Sequence, residues 1–170
     1  MSRWFALGIS LFPVSALAAP PTLEIGQGKF EIGGHATANV YFVDVGDGFS
    51  FDIAPQAGVF VSDDVEIVGS LNLFWVNGNL DMRIDLGADY FFAAEYLRPY
   101  AGASLGFGNY PYVGVIADEV VSATARGGVL LPLNRNVGVD LGLRLAFLLD
   151  DAEVQLHVPL GIIGVRAFFP

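Results

Sequence analysis

The chain has 170 residues, a net charge of −10 and no cysteine, with 54% hydrophobic against 15% charged residues. The lack of cysteine excludes the small disulfide-stapled scaffolds, and an acidic balance with a single lysine, Lys29, excludes a basic nucleic-acid footprint. A mean hydropathy of +0.55 is too apolar for an ordinary soluble domain, in which about a quarter of the residues are charged.

The first residues read as an export signal. Met1 to Arg3 make a short positive start, and residues 4–17 are almost wholly apolar. Ala16-Leu17-Ala18 then supplies the small-x-small pattern of a cleavage site, so residues 1–18 are expected to leave as a signal peptide. Past it, no apolar run approaches the roughly 20 residues of a membrane helix. A chain too apolar for water, yet without helical spans, is expected to cross a membrane as a closed β-barrel.

In chain order, residues 19–28 are a short lead and residues 29–170 the barrel domain. From 29 to 43 the sequence alternates with period two, placing Phe30, Ile32, Ala36 and Val40 on one face and Glu31, His35, Thr37 and Asn39 on the other. A turn cluster at 44–48 restarts the pattern, with Phe51, Ile53 and Val59 opposite Asp52, Gln56 and Gly58. After Ser62-Asp63-Asp64, Ile67, Leu71 and Trp75 oppose Glu66, Ser70 and Asn72. Asn77-Gly78-Asn79 is a hairpin signal, since both residue types tolerate positive φ. The fourth strand sets Leu80, Met82, Ile84 and Leu86 against Asp81, Arg83, Asp85 and Asp89. The fifth is expected over 98–108, followed by the longest connection, 109–119, with Asn109, Tyr110, Tyr112, Asp118 and Glu119 as an exterior loop. The sixth strand sets Val121 and Ala125 against Thr124 and Arg126. The seventh sets Leu141 and Leu143 against Asp140 and Arg144. The eighth changes phase between Val158 and Ile163, which predicts a one-residue bulge at Pro159-Leu160-Gly161. The fold class is therefore all-β: a closed, antiparallel, up-and-down transmembrane barrel of about eight strands, each of roughly 9 to 13 residues.

Alternation alone also fits a soluble lipocalin-like barrel with its apolar face inward. Three features place the apolar face outside. The polar face carries both charge signs at mid-strand, with arginine and aspartate in place of surface lysine, as suits bidentate pairing in a confined space. It is also crowded with Gly33, Gly58, Gly87, Gly102, Gly106, Gly128, Gly138 and Gly142, which a narrow interior needs and an open surface does not. The apolar face, finally, gathers its aromatics near strand ends, where girdles meet the membrane interfaces.

The eight strands, the Arg98-Pro99-Tyr100-Ala101-Gly102-Ala103 start of the fifth and the 161–169 ending resemble the small outer-membrane β-barrel domain of the OmpA/OmpX type. The resemblance implies outer-membrane location, contact with lipid and lipopolysaccharide, and recognition of a terminal aromatic by the barrel-assembly machinery. Phe169 would fill that role, with Pro170 after it. The resemblance also implies that the lead and the turns at 63–64, 95–98 and 134–136 face the periplasm. A monomer with no nucleic-acid partner is expected.

The chemistry expected is structural. The lumen network comprises Glu31, His35, Asp52, Glu66, Asp81, Arg83, Asp85, Asp89, Arg126, Asp140, Arg144, His157 and Arg166. Buried charges are tolerated when paired, and an eight-stranded barrel holds little beyond its own side chains. His35 and His157 are the candidates for a general base, but they point into the plug and no nucleophile motif accompanies them. The acidic loops show no metal-ligand spacing, so neither metal nor cofactor is expected. A non-enzymatic wall with a structural or interaction role is the reading. Its competitors are a small pore, a lipid A-modifying enzyme and the soluble ligand-binding barrel.

Overall fold

Alternating side chains need two environments, and the chain obtains them by curling one meander into a ring. The computed structural model describes residues 21–41, 48–76, 78–94, 96–112, 115–150, 153–157 and 162–170. The strands are β1 (Phe30–Tyr41), β2 (Gly48–Phe60), β3 (Val65–Val76), β4 (Asn79–Phe91), β5 (Arg98–Tyr112), β6 (Val115–Pro132), β7 (Val137–Asp150), β8 (Glu153–His157) and β9 (Ile162–Phe169). Each pairs antiparallel with the next from β1 to β7, and β9 pairs with both β7 and β1, so the sheet closes. β8 and β9 both lie along β7 and together make the eighth stave.

The expected phase slip shows in the register on either side of it. Ala146 faces His157 and Gly142 faces Ile162. Four residues therefore separate the paired positions on the last stave, against three on β7. The residues expected to hold the bulge, 159–161, lie outside those described, as do residues 1–18, expected to be a signal peptide, and the turn at 44–47.

One expected element changes. Asn109, Tyr110 and Tyr112 belong to β5, and Asp118 and Glu119 to β6, so the connection expected over 109–119 is instead a hairpin with Tyr112 opposite Val115. Gly108, at φ +136°, sits where the β5–β6 register shifts, a bulge that glycine accommodates without strain. In β2, pairing with β3 skips Ala54 and Pro55, between Ile53↔Leu73 and Gln56↔Ser70, because proline has no N–H to give the ladder.

The two faces divide as their residues demand. Outside, Ile32, Met82, Ile84, Leu86, Leu105, Leu143 and Ile163 are all more than half exposed, and among the described residues no exposed strand position carries a charge. Phe30, Tyr90, Phe92 and Phe169 gather at one end, with Tyr90 and Phe92 stacked edge-on at 5.0 Å. Such a surface is stable only against hydrocarbon, which rules out the soluble barrel. Closure gives every stave of the wall a neighbour on both sides.

The lead crosses the same end. Glu24 N–H donates to the Arg135 carbonyl, Gly28 N–H to Phe60, and Gln27 N–H to the Asp63 carboxylate. The turns at 62–64 and 133–136 are thereby tied to residues 24–28.

Candidate functional site

Inward positions stack in tiers along the strands, and the lowest tier is apolar. Leu23 of the lead, Phe60, Phe91, Tyr100, Leu130 and Phe168 form a buried cluster with Ile25 packed against it. Phe60 lies 5.3 Å from Phe91 and 6.0 Å from Phe168, ring centre to ring centre. These residues close one mouth of the barrel. We call it the floor.

Arg166 sits directly on that floor, its side chain 2% exposed. Its Cζ lies 4.6 Å from the centre of the Tyr100 ring and 5.8 Å from that of Phe91. Its guanidinium donates to Asp140 at 2.8 Å, Glu31 at 3.1 Å, Asp89 at 3.2 Å and Glu66 at 3.5 Å. Arg126 reaches the other oxygen of Asp89 at 2.7 Å, and the Tyr100 hydroxyl donates to Asp140 at 2.8 Å. Gln56 donates to Glu31. Four carboxylates thus converge on two guanidinium groups, contributed by strands β1, β3, β4, β6, β7 and β9.

A second polar group fills the next tiers. Arg144 meets His35 Nε2 and donates to Asn72 at 3.3 Å. Asn72 donates to Asp85 at 2.6 Å, and Arg83 reaches the same Asp85 oxygen at 2.8 Å while its Cζ stands 5.5 Å from the centre of the Phe74 ring. Asp52 is buried in this part of the lumen. Asp81 is half-buried and accepts from Asn109 at 2.7 Å.

The glycines of the polar face are seats for these side chains. A methyl group at Gly102 would collide with Asp89, one at Gly106 with Asp85, and one at Gly58 with Glu66. At Gly33 it would lie 3.2 Å from Arg166 Cγ, and at Gly142 2.8 Å from the Tyr100 hydroxyl. The register sets Asp89 opposite Gly102, Asp85 opposite Gly106 and Arg166 opposite Gly33. Bulk on one strand is matched by emptiness on its neighbour.

The structure therefore gathers Glu31, His35, Asp52, Glu66, Arg83, Asp85, Asp89, Arg126, Asp140, Arg144 and Arg166 inside the barrel, as the alternation requires. His157 lies on β8 opposite Ala146, and its side chain is outside those described. Leu23 and the floor aromatics Phe60, Phe91 and Phe168 are functional positions that the alternation by itself does not single out. A signal existed: these three phenylalanines fall on the polar phase of their strands, each at the end nearest the lead.

No protein-family model matches the chain, and no curated protein matches it in sequence. Among solved structures it is similar to the N-terminal β-barrel domain of OprF from Pseudomonas aeruginosa, at 21% identity and TM-score 0.60, over 85% of this chain and 99% of that one. Neisserial surface protein A matches at 19% identity and TM-score 0.63, over 83% and 99%. A transmembrane β-barrel designed de novo matches at 17% and 0.52, over 86% and 100%. At these identities the likeness is one of fold. The chain has the fold of the small eight-stranded outer-membrane barrels of the OmpA/OmpX type. That a designed barrel matches along its whole length makes the shared property an architecture, not a role.

Proposed function

We propose that this chain is an integral protein of the bacterial outer membrane, exported by a cleaved signal peptide over 1–18, that acts as a wall element and contact surface and not as a pore or an enzyme. The observation that carries the reading is the filled lumen. Arg166 and its carboxylates stand on an apolar floor, with Arg83, Arg144 and their partners above them. A channel needs a continuous water path, and an eight-stranded barrel has room for side chains alone. His35 is engaged by Arg144 inside the wall, where a lipid substrate does not reach it. The floor end, with the lead and its turns, faces the periplasm. The other hairpins face outward, among lipopolysaccharide. Phe169 is the mark read by the assembly machinery, and the barrel works as a monomer.

Reconstitution into planar bilayers tests this directly. The expected record is a flat baseline without unitary steps. Repeated steps of one size, reproduced by a preparation whose folded band shifts on boiling, would assign a pore instead. Lipid A mass spectra from cells with and without the protein are expected to be identical.

A further inference from the structure

The tier standing on the floor holds more acid than base. Glu31, Glu66, Asp89 and Asp140 are each 3% exposed or less, and the guanidinium groups they meet are those of Arg126 and Arg166. The remaining staves contribute Gln56 from β2 and Tyr100 from β5, neither of which supplies a positive charge. Full ionisation would leave two negative charges uncompensated, with an apolar floor below them. The tier above has no cation to lend, since Arg83 is paired with Asp85, and Arg83 and Arg144 both act on Asp52. Burying an uncompensated ion is so costly that the group takes up a proton instead.

The donors identify the neutral acid. Asp89 accepts from Arg126 at 2.7 Å and from two nitrogens of Arg166 at 3.2 Å. Asp140 accepts from Arg166 and from the Tyr100 hydroxyl, both at 2.8 Å. Glu31 accepts from Arg166 at 3.1 Å and from Gln56. Such bonds favour the charged form. Glu66 has only Arg166, at 3.5 Å, and its Oε1 accepts no hydrogen bond among the described residues.

The register brings this poorly served acid to another. Glu31 on β1 stands opposite Gly58 on β2, and the space a Gly58 side chain would fill is taken by the Glu66 carboxyl from β3. Glu66 and Glu31 are thereby in side-chain hydrogen-bond contact, and both reach the same nitrogen of Arg166, Nη1. Two carboxyl groups in contact need a proton between them, because both cannot ionise at that distance.

We propose that the Glu31–Glu66 pair is a proton-binding site: at neutral pH the folded barrel holds one proton on Glu66, donated to Glu31. The proton turns a repulsive contact into a bridge across β2 and leaves Arg166 to Glu31, Asp89 and Asp140. The proposal rests on the closed lumen alone, whatever the outer face meets.

The test is infrared spectroscopy of the folded protein in detergent micelles at neutral pH. A protonated carboxyl absorbs above the amide I band. A component of that absorption, moving down in heavy water, is expected in the unmodified protein and lost in Glu66→Gln, which keeps the tier's charge. An unfolded glutamate, with a pKa of about 4.3, is ionised at this pH. Refolding from urea in unbuffered solution should therefore take up one proton more for the unmodified protein than for Glu66→Gln. No such absorption, a component that survives Glu66→Gln, or equal proton uptake by the two proteins would each overturn the proposal. If Glu66→Gln does not fold, ¹³C labelling of the glutamate carboxyls decides on the unmodified protein, because Glu31 and Glu66 are the buried glutamates among the described residues. A shift of the component supports the pair; an unshifted component places the proton on an aspartate and overturns it.

Discussion

Arg166 forms salt bridges with four buried carboxylates, and this sets the cost of losing it. Removing one partner of a buried ion pair costs about 3–5 kcal/mol, because the remaining charge stays buried and unpaired. Arg166→Met would leave Glu31, Glu66, Asp89 and Asp140 with Arg126 alone. It should therefore lower the urea midpoint more than Arg126→Leu or Arg144→Leu, each of which also lowers the temperature of the gel-band transition. Equal midpoints for Arg166→Met and the unmodified protein would show that the network does not hold the barrel. The glycine seats give a sharper contrast. Gly102→Ala drives a methyl into Asp89, whereas at Gly127 the nearest atom is the Tyr100 carbonyl at 3.3 Å. Overpacking of the first kind costs about 1–3 kcal/mol, so chemical denaturation should separate G102A clearly from G127A. The membership of the lumen could be read from alternation, since period two assigns each residue a face. The pairings could not, because they depend on the register between strands far apart in sequence, such as Glu31 and Arg166.

At the scale of elements, the lead and the β5–β6 hairpin are the instructive cases. Nothing local marks residues 21–28 as part of a core; Leu23 acquires its role only because the floor aromatics leave a mouth to be filled. Leu23→Ala should destabilise the barrel by about 2 kcal/mol, near the low end for buried leucine truncation. The folded band should then vanish at a lower temperature, and an unchanged transition would make the lead ornamental. The β5–β6 hairpin departs from the local sequence signals for the opposite reason. Gly108, Asn109 and Pro111 are strong turn formers, and ladder pairing between β5 and β6 overrides them. β5 is flanked by both β4 and β6 over 101–107 but by β6 alone at Tyr110 and Tyr112, so the amides of Tyr110 and Tyr112 should exchange with solvent deuterium faster than those of 101–107. Equal protection would mean that β4 also covers this end of β5 in solution.

For the whole molecule, architecture was the most readable level. High hydropathy without a helical span, one lysine and eight alternating segments leave few solutions other than a membrane barrel. An apolar exterior and a charged interior invert the arrangement of a soluble domain, and both inversions are written in composition and alternation, independently of any pairing. Role is least readable, because alternation assigns faces and not partners, and the likeness to solved barrels is one of fold.

The seam of the ring has a consequence for the order of events in folding. It sets Phe30 against Phe169, so the first strand must wait for the last. Joining points about 140 residues apart costs some 3 kcal/mol more chain entropy than closing a hairpin of a few residues. Neighbouring hairpins can therefore zip as soon as they are available, while the seam has to come last. Until it does, β1 and β9 each present a free edge. A chain cut short before Ile162 would keep both ends of the sheet open, however well its other strands had paired, and so be exposed to edge-to-edge association.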